Sequence, residues 1–90
     1  MACVDVDSLT EYEVAAKQGR ADALYNLGLA YSTGNGVGVD FIAAHKWFNL
    51  AAMRGVDAAK SWRAQVASEM LPAQIAEAQR LAREWLSMFR

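Results

Sequence analysis

Apolar residues recur every three to four positions along most of the chain, which is the pattern of amphipathic helices that pack on one side. The pattern breaks near glycines and at the single proline, and these breaks divide the chain into five segments. We therefore predict an all-α protein of about five helices. Their predicted ranges are 8–19, 21–33, 41–54, 58–70 and 72–88.

The residues at the segment boundaries predict how the helices begin. Ser8 and Glu11 have the spacing of a capping box, in which both side chains bond to free amides at the helix start. Asp40 and Asp57 are each placed to accept a hydrogen bond from the first turn of the helix that follows. Pro72 suits the first turn of the fifth helix. The seven residues before Ser8 are expected to form a short lead-in.

The second and third helices and the loop between them are predicted to form the central hairpin of the fold. Gly28 lies inside the second helix, where glycine costs roughly 1 kcal/mol relative to alanine, so we expect another backbone to approach closely there. Gly34 is expected to end this helix in the left-handed conformation. In the loop 34–39, Val37 is expected to tuck between helices. The apolar stripe of the third helix consists of Ala44, Trp47, Phe48, Ala51 and Ala52.

The chain contains an internal repeat with a period of 36 residues. The segment AAKQG at 15–19 matches AAMRG at 51–55, and at the same offset Tyr12 aligns with Phe48 and Ala23 with Ala59. Two helices per period of this length are typical of an α-solenoid. We interpret residues 8–19 as the second helix of one unit, 20–55 as a full unit, 56–70 as the first helix of a third unit, and 72–89 as a capping helix outside the pattern.

The central segment resembles the Sel-one-like repeat (SLR), a relative of the tetratricopeptide repeat (TPR). The signature residues are Leu27, Gly28 and Tyr31, Gly34 to Val37, Asp40, Ala44, Trp47, Phe48, and Ala51 to Gly55. The resemblance implies a right-handed α-α superhelix that serves protein–protein interaction. Arg63, Ala64 and Ala67 replace the Leu, Gly and Tyr of the signature, so the third unit is expected to be terminal. The tail 75–85 resembles the C-terminal cap of some bacterial members.

Composition narrows the classes of function. Nine basic and ten acidic residues give a net charge of −1, which argues against a broad nucleic-acid surface because such surfaces neutralise phosphates. The one cysteine, Cys3, cannot form a disulfide within the chain. No apolar run approaches the ~20 residues that span a bilayer. The start of the sequence lacks the basic and apolar regions of a signal peptide, so we expect a cytoplasmic protein unless a leader has been removed.

No group of residues predicts a catalytic, cofactor or metal site. His45 has no metal-ligating residue at a suitable spacing and is expected to be an ordinary surface or half-buried histidine. The loop 34–36 lacks the lysine and the preceding strand of a phosphate-binding loop. Cys3 and Ser8 have no recognisable base that would make them nucleophiles. The large aromatic residues are assigned mainly to the core, and they are Tyr12, Tyr31, Trp47, Phe48, Trp62 and Trp85.

The resemblance also implies where a partner would bind. In TPR relatives the first helix of each unit lines a concave groove. Carried over to this chain, that groove would be lined by Asp22, Tyr25, Leu29 and Ser32 on the second helix and by Ser61, Gln65 and Ser68 on the fourth. Tyr25 and Leu29 would form an apolar anchor with a polar rim, as interfaces prefer. The equal alternative is that the first helix or the lead-in covers these residues.

Three functions are consistent with the sequence. The first is a non-catalytic interaction module or adaptor that presents the groove to a peptide or a partner protein. The second is a structural homo-oligomer, such as a homodimer, that uses the wide apolar arc of the fifth helix. The third and most remote is a hydrolase, as described for cysteine-rich SLR proteins, whose disulfides and nucleophile–base pair have no counterpart in this sequence.

Overall fold

The computed structural model describes residues 6–89, and within this range the chain forms five α-helices and no strand. The helices are α1 (Val6–Lys17), α2 (Ala21–Thr33), α3 (Phe41–Met53), α4 (Asp57–Ala67) and α5 (Pro72–Met88). The predicted all-α fold is therefore confirmed. The interpretation of Cys3 concerns a residue outside this range.

Three of the predicted boundary signals are confirmed. Gly34 follows α2 with a φ of 78°, and its amide donates to the carbonyl oxygen of Ala30. Asp40 precedes α3, and its Oδ1 accepts a hydrogen bond of 3.1 Å from the amide of Ala43. Pro72 occupies the first turn of α5. Each of these signals acts through the adjacent backbone, so the surrounding fold does not override it.

Two helix starts differ from the prediction. α1 already includes Val6, so Ser8 lies inside the helix and not at its cap position. Asp57 is the first residue of α4, and the cap position is held by Val56, whose side chain makes no capping bond. An acidic residue is favourable in a first turn as well as at a cap. The sequence pattern therefore does not distinguish the two placements of Asp57.

The end of α4 also differs, because the helix stops at Ala67 and not at Met70. The amides of Glu69 and Met70 donate to carbonyl oxygens three residues earlier, those of Val66 and Ala67, at 3.0 Å in each case. Bonds to the third preceding residue tighten the last turn and end the α-helical pattern.

α3 is the centre of the fold. The helices α2, α4 and α5 each pack against α3, whereas α1 packs against α2. The largest fully buried side chains are Leu24 and Leu27 of α2 and Phe48 and Leu50 of α3. The α2–α3 hairpin thus supplies the largest side chains of the core, and the other helices complete their burial.

Gly28 of α2 faces the aromatic ring of Phe48. A Cβ atom built on Gly28 would lie 2.5 Å from Cδ1 of Phe48, far inside the optimal separation of two carbon atoms, about 3.5–4.0 Å. The predicted close approach at Gly28 is therefore confirmed. The approaching group is a side chain, and the expectation of a second backbone was wrong, because the flat ring fills the space between the two helices.

Two valines outside the α2–α3 hairpin helices show how far the apolar pattern predicts burial. Val37 in the loop is half-buried and packs against the core, as predicted. Val14 of α1 is also apolar, yet it is 52% exposed. Its repeat counterpart Leu50 is 2% exposed, because α3 is packed by three helices whereas α1 packs against α2.

α5 packs against α3 rather than against α4, the helix that precedes it. Ala78 and Ala82 are buried, and these small side chains allow the helix a close approach. The ring of Trp85 lies 4.8 Å from that of Trp47 in an edge-to-face arrangement, a favourable geometry for aromatic pairs. The assignment of α5 as a capping helix outside the repeat remains an interpretation of the sequence.

The charged residues on the solvent side of α5 form the ion pairs that their spacing predicts. Arg80 Nε lies 2.7 Å from Oε1 of Glu77, and Arg80 also pairs with Glu84. Exposed pairs of this kind stabilise a helix only weakly, because water and salt screen the two charges. They therefore support α5 without fixing its position.

Candidate functional site

Three aromatic side chains form a continuous row that runs from α2 across α3 to α4. The ring centroid of Phe48 on α3 lies 6.0 Å from that of Tyr25 on α2 and 6.2 Å from that of Trp62 on α4. The Phe48 and Trp62 rings are nearly parallel, with 15° between their planes. Phe48 is fully buried, whereas Trp62 is 40% exposed. The row thus passes through the core at Phe48 and ends at the surface of α4.

A groove opens beside the exposed end of this row. It is lined by Ser61, Trp62 and Gln65 and has a volume of about 380 Å³. The indole supplies an apolar wall, while the serine hydroxyl and the glutamine amide supply neutral donors and acceptors. Such a combination can hold an uncharged side chain or an extended backbone, and none of these three residues is suited to acid–base catalysis.

The four candidate residues on α2 lie at different depths. Tyr25 and Leu29 are half-buried and pack against the core. Ser32 is also half-buried, and its Oγ donates a hydrogen bond of 3.1 Å to the carbonyl oxygen of Leu29. Asp22 is exposed and pairs with Arg20 at 3.2 Å, and hydrogen bonding from that guanidinium lowers the pKa of the carboxyl.

The three candidate residues on α4 are all exposed, but the structure uses them differently. Ser61 and Gln65 lie one helical turn apart and meet at the groove. Ser68 follows the last helical residue, and its Oγ donates to the carbonyl oxygen of Gln65 at 2.6 Å. The structure therefore brings Ser61 and Gln65 together, links Tyr25 to them through the aromatic row, and leaves Asp22, Ser32 and Ser68 in local contacts.

Trp62 is the residue that sequence reasoning missed at this site. The sequence analysis assigned it to the core with the other large aromatic residues. In the structure Ala59 and Val66 are buried, whereas Trp62 is among the exposed large apolar residues. A usable signal was present, because Trp62 lies between Ser61 and Gln65, which were already assigned to the exposed side.

His45 lies away from the groove and is more buried than predicted. The residue is 4% exposed, and its Nδ1 has no hydrogen-bond partner. Burial lowers the pKa of this imidazole, and the positive charge of Arg63 lowers it further. Arg63 itself donates to Oδ1 of Asn49 at 2.7 Å. The histidine is thus a neutral part of the α3–α4 contact.

A second aromatic cluster lies where α3 meets α5. Lys46 is half-buried, with its ammonium 4.0 Å from the ring centroid of Trp47 and 5.6 Å from that of Trp85. Burial lowers the pKa of this lysine. Cation–π contacts of this kind stabilise by about 0.5–2 kcal/mol, so the cluster is best explained as the attachment of α5 to α3.

The described residues were also compared with what a metal site and a membrane-spanning helix require. Across residues 6–89, no three His, Cys, Asp or Glu side chains come together in a group that could hold a metal ion. In the same range, the helices are all too short or too polar to cross a lipid bilayer.

Comparison with known proteins agrees with the helical-repeat fold. The family model of the Sel1 repeat matches residues 21–56, which include α2, the loop and α3. No curated protein matched the chain.

Among solved structures, a protective antigen present in uropathogenic Escherichia coli strains, which displays an SLR fold, superposes with a TM-score of 0.84 at 24% identity. The match covers 91% of this chain and 18% of the antigen, so the chain spans about a fifth of that protein's length. At this identity the likeness shows a shared fold. Residues 21–56 thus match the Sel1 repeat, and the chain as a whole shares the SLR fold.

Proposed function

We propose that the chain is a non-catalytic interaction module that binds a peptide or a partner protein in the groove beside Trp62. The observation that carries the proposal is a large aromatic side chain that stays 40% exposed while its ring stacks on the buried Phe48. Aromatic residues of this kind are the commonest anchors of protein interfaces. A Sel1-like repeat is also typical of helical scaffolds that mediate protein interaction.

The groove has the composition of a small interface. Trp62 provides the apolar centre, and Ser61 and Gln65 provide neutral hydrogen-bonding groups at its rim. Because Phe48 behind the indole is fully buried, the anchor is held before binding and little side-chain freedom is lost when a ligand arrives. Binding through a rigid, preformed surface requires no chemistry from the chain.

The proposed binding surface extends beyond the groove to the other candidate residues. It comprises Asp22, Tyr25, Leu29, Ser32, Ser61, Trp62, Gln65 and Ser68. Stable protein interfaces bury about 800 Å² on each partner, and a short peptide in this groove would bury less. We therefore expect weak binding of short peptides and tighter binding of a partner that covers both α2 and α4. We also propose the cytoplasmic location that is expected from the sequence.

The test is selection of peptides on the immobilised chain from a displayed random library, followed by calorimetric titration of the selected peptides. Trp62→Ala is expected to weaken binding about 30-fold, which is the effect of losing a hot-spot residue. Met53→Ala is the matched control, because Met53 is a large apolar residue that is 57% exposed on α3. Equal affinities for the wild type and Trp62→Ala would refute the groove, and Tyr25→Ala with Leu29→Ala then tests the α2 side.

Self-association through α5 has less support than the groove. Ile75, Leu81, Trp85 and Leu86 of its apolar arc are half-buried, and Met88 is exposed. Trp85 and Leu86 pack against the core, so part of the surface that the sequence offered for a homodimer is already occupied.

A further inference from the structure

α4, the helix that carries the groove, is held in place by few buried side chains. It packs against α3, and no comparable contact joins it to another helix of the described chain. Ala59 and Val66 are the buried residues of α4, so little apolar surface is exposed when the helix moves away. Segments with few buried apolar contacts open at a lower free energy than the rest of a fold. α4 is therefore the helix best placed to leave α3 while α2 and α5 stay on it.

A polar cluster lies in the contact between α3 and α4. It consists of His45 and Asn49, one helical turn apart on α3, and of Arg63 on α4. Arg63 is half-buried and donates to Oδ1 of Asn49 at 2.7 Å. His45 is 4% exposed, and its Nδ1 has no hydrogen-bond partner among the described residues. Arg63 directly follows Trp62, so the cluster and the anchor of the groove share one turn of α4.

An equivalent helix contact in the same chain is apolar. The pairs α1–α2 and α3–α4 both pack, and the 36-residue period relates one pair to the other. At this offset Leu9 of α1 corresponds to His45, and Leu27 of α2 corresponds to Arg63. Leu9 is 7% exposed and Leu27 is 0% exposed. The contact beside the groove thus has a titratable and a charged residue at positions where the earlier contact has two buried leucines.

A proton on His45 places an unpaired charge in this contact. Both imidazole nitrogens then become donors, and Nδ1 has no acceptor within residues 6–89. Arg63 is the charged group that acts on the imidazole, and its charge has the same sign as the added proton. An unpaired charge is unfavourable in a buried position. Movement of α4 away from α3 relieves both the burial and the repulsion.

The other charged groups near α3 do not offset this charge. Lys46 of α3 lies above two tryptophan rings at the contact with α5. On the α2 side, Asp22 is exposed and pairs with Arg20. The charged residues of α5 are on its solvent side, and they are Glu77, Arg80, Arg83 and Glu84. No carboxylate of the described chain therefore compensates a proton on His45.

We propose that mildly acidic solution releases α4 from α3 and disrupts the groove, because His45 takes up a proton that Arg63 of α4 repels. The released helix separates Trp62 from the Phe48 ring on which it stacks. The regulatory meaning of this release rests on the proposed function of the groove, whereas the release itself requires no ligand. Since linkage is reciprocal, a peptide held in the groove favours the neutral form of His45.

The primary test is amide hydrogen exchange of the whole chain, resolved by helix and corrected for the intrinsic effect of pH. The α4 amides are expected to exchange faster than the α2 amides, because the opening is local. Between about pH 7.5 and about pH 5.5 the opening equilibrium of α4 is expected to increase about tenfold, because the exposed imidazole takes up one proton near about pH 6.5. His45→Leu is expected to abolish this increase. Equal exchange rates for α4 and α2 would show global unfolding only and would overturn the proposal, as would a tenfold increase in His45→Leu.

A second variant tests the repulsion by the facing charge. Arg63→Gln removes the charge and keeps an amide donor, so the acid-induced increase in α4 opening is expected to shrink to about threefold. Arg83→Gln is the matched control, because Arg83 is an exposed arginine on α5, and it should retain the wild-type increase. An undiminished increase in Arg63→Gln would overturn the repulsion on which the release depends.

Peptides selected on the immobilised chain at about pH 7.5, and free of titratable side chains, connect the release to the groove. Their affinity for the wild type is expected to fall about twofold at about pH 5.5, because only molecules with α4 in place present the groove. His45→Leu should bind them equally at both pH values. Equal affinities of the wild type at both values would overturn the control of the groove. Failure to select any peptide would refute the proposed function instead, and the exchange data would still decide whether acid releases α4.

Discussion

The side chain of Phe48 occupies the space that a Cβ on Gly28 would need. The distance from that Cβ position to Cδ1 of Phe48 is 2.5 Å, and to Cε1 it is 2.6 Å. Phe48 also joins Tyr25 to Trp62 through ring contacts. The absence of a side chain at Gly28 therefore sets the position of the ring on which the exposed Trp62 stacks.

Substitution of Gly28 should accordingly destabilise the fold. Gly28→Val is expected to lower the free energy of unfolding by about 3 kcal/mol, because overpacking a tight contact outweighs the gain of about 0.5 kcal/mol in helix propensity. Urea unfolding followed by circular dichroism measures the change. Gly38→Ala is the control, since a Cβ at Gly38 would meet no atom within 4 Å. Equal stabilities of the two variants would show that the ring moves aside at little cost.

The sequence predicted the fold well where local signals and the repeat agreed. Gly34 ends α2 and Asp40 caps α3 because each acts on the neighbouring backbone, whatever packs around it. The apolar stripe of α3 was also predicted, because every residue of that stripe lies in the core or packs against it. Signals of this kind determine the structure of residues only a few positions away.

The candidate site was less predictable, because exposure depends on which helices cover a given face. Trp62 has the spacing of a core residue on α4, yet it remains 40% exposed because α5 packs against α3. Histidine is polar and is expected at the surface, yet His45 of α3 is buried. A local sequence pattern does not predict where α5 packs. It also does not predict that three helices pack against α3.

The capping bond of Asp40 gives a second prediction. Asp40→Ala is expected to lower the free energy of unfolding by about 1 kcal/mol, because the amide of Ala43 loses its partner. Asp57→Ala is the matched comparison, since Asp57 is in the first turn of α4 and its ion pair with Lys60 is exposed. Its expected change is about 0.3 kcal/mol. Urea unfolding of both variants measures the two changes. A larger loss of unfolding free energy for Asp57→Ala than for Asp40→Ala would contradict the observed helix start.

The contact between Trp85 and Trp47 predicts how α5 is held. Trp85→Ala is expected to lower the free energy of unfolding by about 2 kcal/mol, because a half-buried indole leaves the α3 surface. Met88→Ala, on the same helix but 66% exposed, should change it by less than about 0.5 kcal/mol. Hydrogen exchange of the α5 amides provides the second measurement. Unchanged protection of α5 in Trp85→Ala would show that the alanines Ala78 and Ala82 suffice to hold the helix.

Burial of His45 predicts that stability falls in mildly acidic solution. Its pKa in the folded chain lies below the ordinary value of 6.5 because of burial and the facing charge of Arg63, so the unfolded chain binds the proton more readily. Stability is then retained above about pH 6.5 and declines as the pH falls toward the folded pKa. His45→Leu places at this position the residue type of its repeat counterpart, the buried Leu9. The variant is expected to be more stable at about pH 7.5 and to lose less stability by about pH 5.5, as measured by urea unfolding at both values. Parallel losses in the two proteins would assign the acid sensitivity to the carboxylates instead.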